Sequence, residues 1–247
     1  MPRIDVNCDL GEGCGNDAAI MPWITSANIA CGAHAGDPQT IRETLRLCRA
    51  HGVAAGAHPG YDDREHFGRL ERSLPHAGLV ALVRDQVALV DGMAREAGLR
   101  LRHVKPHGAL YNQSARDLDT AMAVAEAVRA YDPSLLLIGL SGSMSIRAAE
   151  ACGLRTAHEV FAERGYAADG RLLQRAVPGA VLEPDAAIAQ ALGFVLRSEA
   201  ALRDGGTLHR QADTLCLHGD RADAADLART LHTALTAAGV RLQPLEH

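Results

Sequence analysis

The chain is 247 residues long, enough to bury a sizeable core. Its 25 basic and 30 acidic side chains leave a formal charge of −5, a balance that gives nucleic acid or an anionic membrane surface no footing. No apolar run would span a bilayer, the N-terminus lacks the apolar stretch of an export signal, and the six cysteines have no C-x-x-C spacing, so a cytoplasmic protein with reduced thiols is expected.

The apolar runs expected to form strands are short and regularly placed. The first is RIDVN at 3–7, where Asp5, Asn7 and Asp9 alternate with Ile4, Val6 and Cys8, and it runs into DLGEG. The second is ANIAC at 27–31, closed by GAHAGD. A helix follows, with Asp37 as its cap, Pro38 in its first turn, Ile41, Leu45 and Cys48 on one face, and Gly52 as its stop. VAAGA at 53–57 ends in HPGYDD, and LRHVK at 101–105 in PHGALYN. SLLLIG at 134–139, LRTAH at 154–158 and DTLCL at 213–217 complete the set, with helical patterns at 78–97, 115–131, 183–203 and 221–238 between them. Residues 159–182 are too long and polar for a turn and read as a lid.

Strands separated by helices imply a parallel sheet in a single domain, 1–247. An open sheet gathers its ligand at one switch point, whereas a barrel brings every carboxyl-end loop to one mouth. Polar motifs follow nearly every strand here, so the expected fold is an α/β barrel of about seven strands.

Acids inside a barrel are costly unless they meet a ligand, a metal or a cation. Asp9 is accordingly a catalytic candidate, and Glu12 a substrate-binding one. The spacing after Asp5 fails the calcium-loop pattern at Leu10 and Asn16. His34 and His58 close two strands in equivalent places. With Asp9 they suit either a divalent metal with an open position or a substrate held by hydrogen bonds. Lys105 is the chain's only lysine among 25 basic side chains. Unlike arginine it can lose its proton, so it is read as an oxyanion donor or, if desolvated, a base, and Lys105→Ala is expected to fold and lose turnover. His107 or His218 is the expected proton carrier. Asn112, Glu159, Arg164 and Asp220 are further substrate-binding candidates at strand ends. GLSGSMS at 139–145 is a candidate anion cradle, and the phosphate-binding loops of nucleotide enzymes are missing.

The run of motifs IDVNCDLGEG, ANIACGAHAGDP, GAHPGYDD, HVKPHGALYN, RLLQRAVPGAVL and LCLHGD resembles the LamB/YcsF family across nearly the whole chain. The resemblance implies a distorted seven-stranded (β/α) barrel of the glycoside hydrolase/deacetylase type. It also implies a subunit of an ATP-dependent 5-oxoprolinase that opens 5-oxo-L-proline to L-glutamate, with subunits B and C handling ATP. Two positions depart from the family pattern, Glu163 where aspartate is expected and Leu70 where arginine is expected. A metal-dependent deacetylase, another carbohydrate-active hydrolase, and a non-catalytic substrate-binding subunit stay open as alternatives.

Overall fold

The computed structural model describes residues 1–203, 205–221 and 223–246. Strands β1 (Arg3–Leu10), β2 (Ser26–Ala30), β3 (Ala54–His58), β4 (His103–Val104), β5 (Leu136–Leu140) and β6 (Thr156–Phe161) pair in that order, all parallel. The sheet closes through β9 (Thr214–His218), which pairs with both β6 and β1. The barrel therefore has seven strands, as expected, and β4 with two residues is its weakest stave. A short β10 (Arg241–Leu242) adds to the lower end of β1, and β7 (Glu199–Ala201) with β8 (Thr207–His209) forms a separate hairpin.

Helices α1 (Asp17–Ile20), α2 (Pro38–His51), α3 (His76–Glu96), α4 (Gly108–Arg116), α5 (Leu118–Tyr131), α6 (Met144–Ala151), α7 (Pro184–Arg197) and α8 (Ala224–Ala237) accompany the strands. Helix α2 starts where its cap predicts: Asp37 Oδ1 accepts from the Gln39 and Thr40 amides at 2.8 Å, and Gly52 ends it at φ +68°. The expected helix 115–131 is two helices, because Asp117 breaks the pattern and caps α5 through the Thr120 amide. The expected helix 183–203 stops at Arg197, where Ser198 turns left-handed and the chain enters the β7–β8 hairpin at Glu199.

The alternation in β1 does not separate core from solvent, since every residue from Ile4 to Leu10 is buried. Ile4, Val6, Cys8 and Leu10 belong to the apolar layer between barrel and helices. Asp5, Asn7 and Asp9 enter the barrel lumen, where Ser26, Asn28, His103, Lys105, Glu159 and Thr214 are buried too. A lumen filled with polar groups has to be hydrogen-bonded throughout, and that requirement positions the site. At its base Asp5 accepts from Thr25, Ser26 and Thr214. One layer higher Gly56 makes room for the His103 ring, whose Nε2 meets Asn28 Oδ1 at 2.8 Å.

Candidate active site

The upper lumen is organised around Lys105. Its Nζ lies 2.9 Å from Asp9 Oδ1, 2.9 Å from Glu159 Oε1, 3.2 Å from Asn7 Oδ1 and 3.0 Å from Cys216 Sγ. Burial opposes the charge on Lys105, but Asp9, Cys216 and Glu159 outweigh it and hold the amine well above its ordinary pKa. These neighbours favour the ammonium form, whose three N–H bonds are shared among four acceptors. The raised pKa disfavours the desolvated-base reading of Lys105 and leaves an ammonium on the pocket wall. Its geometry is that of a clamp on Asp9.

Asp9 accepts at Oδ1 from Lys105 and from Asn28 Nδ2 at 2.8 Å. Burial would protonate it, yet His58 and Lys105 hold its pKa well below the usual carboxylate range. Its other oxygen, Oδ2, lies 3.3 Å from His58 Nε2.

The histidines form a second cluster beside Asp9. His58 Nδ1 faces the Lys105 carbonyl at 2.7 Å, and His107 Nε2 faces the Phe67 carbonyl at 2.9 Å. A carbonyl oxygen only accepts, so both of those nitrogens carry the proton and the opposite nitrogens present lone pairs when the rings are neutral. Those lone pairs, His58 Nε2 and His107 Nδ1, point at each other across 3.0 Å. Glu12 Oε1 lies 3.5 Å from His107 Nδ1 and 3.6 Å from His34 Nε2, and the His34 ring stacks on His107 at 3.7 Å. Glu12 Oε1 and both His34 nitrogens are buried without a hydrogen-bond partner among the described residues. Burial pushes His107 down to about 3 and lowers His34 further. It also raises Glu12 well above its usual value, with Asp9 and Asp220 adding to the effect.

Lone pairs facing one another in a dry site repel unless a proton or a cation lies among them. Donor atoms from Glu12, His34, His58 and His107 all lie within 4.8 Å of one another. Four donors about 2.0–2.1 Å from a zinc-sized ion are separated by roughly 3.3 Å, and the short distances here are of that order. The carbonyls on His58 and His107 are the outer partners that orient metal-binding imidazoles. The residues therefore fit a divalent cation, with Glu12 and His107 added to the expected His34 and His58. Asp9 stands at the edge of the set, one oxygen already claimed by Lys105.

Above this floor opens a pocket of about 640 Å³. Asp9, Glu12, His58, Lys105, His107 and His218 all reach it. His218 Nδ1 is 2.7 Å from Glu163 Oε1, and its ring stacks on Phe161. Residues 171–175 and 177 form part of the wall, whereas 159–161 of the expected lid 159–182 belong to strand β6. Asn112 also lines the pocket. Arg164 does as well, but its guanidinium is spent on the Ala180 and Leu173 carbonyls, so it braces the lid. Asp220 is held by Arg69 at 2.6 Å. His34 and Glu159 are not on the pocket wall: His34 lies behind His107, and Glu159 lies below in the lumen, paired with Lys105 and Asn7. The run at 139–145 contributes only Leu140 to the wall, and its glycine at 139 lets Ser145 of α6 approach β5.

Sequence reasoning missed Phe67, Arg69, Arg116, Phe161 and Arg175 on the wall. The tight FGRL turn, with Phe67 at φ +56°, was the available signal for the first two. Arg116 ends α4, Phe161 ends β6 and Arg175 lies in an irregular stretch, none with a local mark.

The LamB/YcsF family model matches residues 4–247. The 5-oxoprolinase A subunit from Erwinia tasmaniensis is 49% identical over 239 residues, covering 96% of this chain and 98% of that one. Its counterpart from Methylococcus capsulatus is 50% identical over 248 residues, covering 98% and 95%. The crystal structure of a lactam utilization protein from Thermus thermophilus superposes with a TM-score of 0.93 at 42% identity, covering 98% of this chain and all of that one. The T48 deacetylase solved with substrate shares the fold alone, with a TM-score of 0.53 at 11% identity, covering 98% and 87%.

Proposed function

The chain belongs to the LamB/YcsF family, and from that premise we infer a subunit of an ATP-dependent 5-oxoprolinase, opening the lactam of 5-oxo-L-proline to L-glutamate. The observation that carries the reading is near-full-length identity of about half to 5-oxoprolinase A subunits. The site agrees with it. A pocket of about 640 Å³ suits a small polar molecule.

Opening the lactam needs water to add to the ring carbonyl, the C–N bond to break and the ring nitrogen to gain a proton. Asp9, kept ionised and fixed by Lys105 and Asn28, supplies an oriented carboxylate oxygen at the floor. His218, with its ring on the pocket wall, carries the proton from water to the leaving nitrogen. His107, neutral and tied to the Phe67 carbonyl, is the poorer carrier, because its pKa of about 3 leaves it little proton to deliver near neutrality. Glu12, His34, His58 and His107 would hold a divalent cation, which when bound polarises a substrate oxygen or a water. The amide is resonance-stabilised, and ATP activation of its carbonyl falls to partner subunits B and C in this reading.

Steady-state assay of the purified chain, alone and with its partner subunits, tests the proposal. The expected result is ATP-coupled glutamate release only in the assembled complex. Deacetylation of an N-acetyl sugar by the chain alone, with no glutamate from the complex, would overturn it.

A further inference from the structure

Glu163 lies at the neck of the lid. Its carbonyl accepts from the Leu182 amide at 2.8 Å, and the neighbouring Arg164 ties the neck to Ala180 and Leu173. The side chain turns the other way, into the barrel wall. Its Oε1 accepts from both the ring Nδ1 of His218 at 2.7 Å and the His218 backbone amide at 3.1 Å. Glu163 is only 1% exposed, and its Oε2 is buried without a hydrogen-bond partner among the described residues. A buried carboxylate with one oxygen unpaired is costly, and hydrophobic packing alone would not select it. A carboxylate behind an imidazole fixes the tautomer and the ring plane and favours the imidazolium when a proton arrives.

The ring is held at two places. Glu163 grips its Nδ1 edge, and Phe161 stacks on its face at 5.6 Å and 23°. Nε2, the opposite edge, has no hydrogen-bond partner among the described residues, and His218 stands on the pocket wall level with Asp9 across the β1–β9 pairing.

We propose that Glu163 is a positioning residue that holds His218 as its Nδ1–H tautomer, so that the Nε2 lone pair is presented to the substrate pocket. The proposal rests on His218 being the proton carrier of the lactam-opening reaction.

Two measurements test it. Nitrogen-15 NMR of the intact isolated chain reads the His218 tautomer without any variant or any activity. The Nδ1–H form is expected, and an Nε2–H form would overturn the assignment. Turnover in the assembled complex is then compared for wild type, Glu163→Gln, Glu163→Asp and His218→Ala, with near-ultraviolet circular dichroism to confirm packing. Glu163→Gln is nearly isosteric and is expected to lose roughly 10–100-fold in kcat with little change in KM, while Glu163→Asp keeps the charge and retains more. Equal losses in the Gln and Asp variants, or a rise in KM alone, would mark Glu163 as structural and overturn the proposal. Full turnover by His218→Ala would remove the proton carrier, and the role of Glu163 with it. Glutamate release by wild type alone, without partners, would instead count against the functional reading and leave the tautomer result standing.

Discussion

The ammonium of Lys105 stands 2.9 Å from Asp9 Oδ1, and the two side chains are only 2% and 7% exposed. The same Nζ lies 2.9 Å from Glu159, whose side chain is fully buried. One cation is therefore shared between two acidic side chains inside the barrel. Such a group is placed to hold charge in position, and removing it leaves Asp9 and Glu159 without their shared partner.

Lys105→Ala should accordingly be destabilised by about 3–5 kcal/mol, the usual cost of breaking a buried ion pair from one side. The expectation that the variant folds and loses turnover is thereby extended to a fold of lower stability. Adding Glu159→Gln to Lys105→Met should recover part of the loss, since one anion is then gone. Urea unfolding of the single and double variants measures both. An unchanged midpoint in Lys105→Ala would show that the pair carries no stability.

The histidine cluster should take up one divalent cation per chain. Dialysis against zinc or manganese followed by elemental analysis gives the stoichiometry. Saturation at 100 times the dissociation constant should raise unfolding stability by about 2.7 kcal/mol, and a chelator should remove that gain. Glu12→Gln and His107→Ala should both weaken uptake, which separates this ligand set from one built on Asp9, His34 and His58 alone. A chain that stays metal-free under these conditions would mean that a proton fills the gap between the rings.

Asp5 gives the clearest pH effect. Burial raises its pKa against the pull of Ser26, Thr214 and Thr25, and Glu159 adds to the rise. The unfolded chain ionises this group near 3.8, so its contribution to stability is fully present below that pH. The contribution is lost as pH rises through the folded value. Asp5→Asn cannot ionise, so its stability relative to wild type should improve as pH is taken upward from about 4. Chemical unfolding of both proteins at several pH values tests the sign, and a flat difference would place the folded pKa of Asp5 at its ordinary value.

Gly56→Ala should fail to pack. A methyl group there would overlap the His103 ring in the lumen, and the ring has no second place while Nε2 holds Asn28. Overpacking of a filled core costs about 1–3 kcal/mol or more. The double variant Gly56→Ala/His103→Ala should regain part of that loss in thermal unfolding, and no regain would put the strain in the strand backbone.

The strand–helix alternation, the barrel closure and the convergence of Asp9, His58, Lys105 and His218 were legible in the sequence. They were inferred from local periodicity and from the recurrence of polar residues at the ends of successive strands. The acids of β1 were read as inward-facing, but the clamp on Asp9 was not legible, because its cation comes from a strand about a hundred residues away. Glu163 and His218 are 55 residues apart, and Glu12 meets His107 only because β1 and β4 feed loops to one mouth. Whether a lysine becomes a base or a permanent cation depends on the charges within a few ångströms of it. Sequence supplied Lys105 and two acids, and only closure of the barrel placed both acids against one nitrogen.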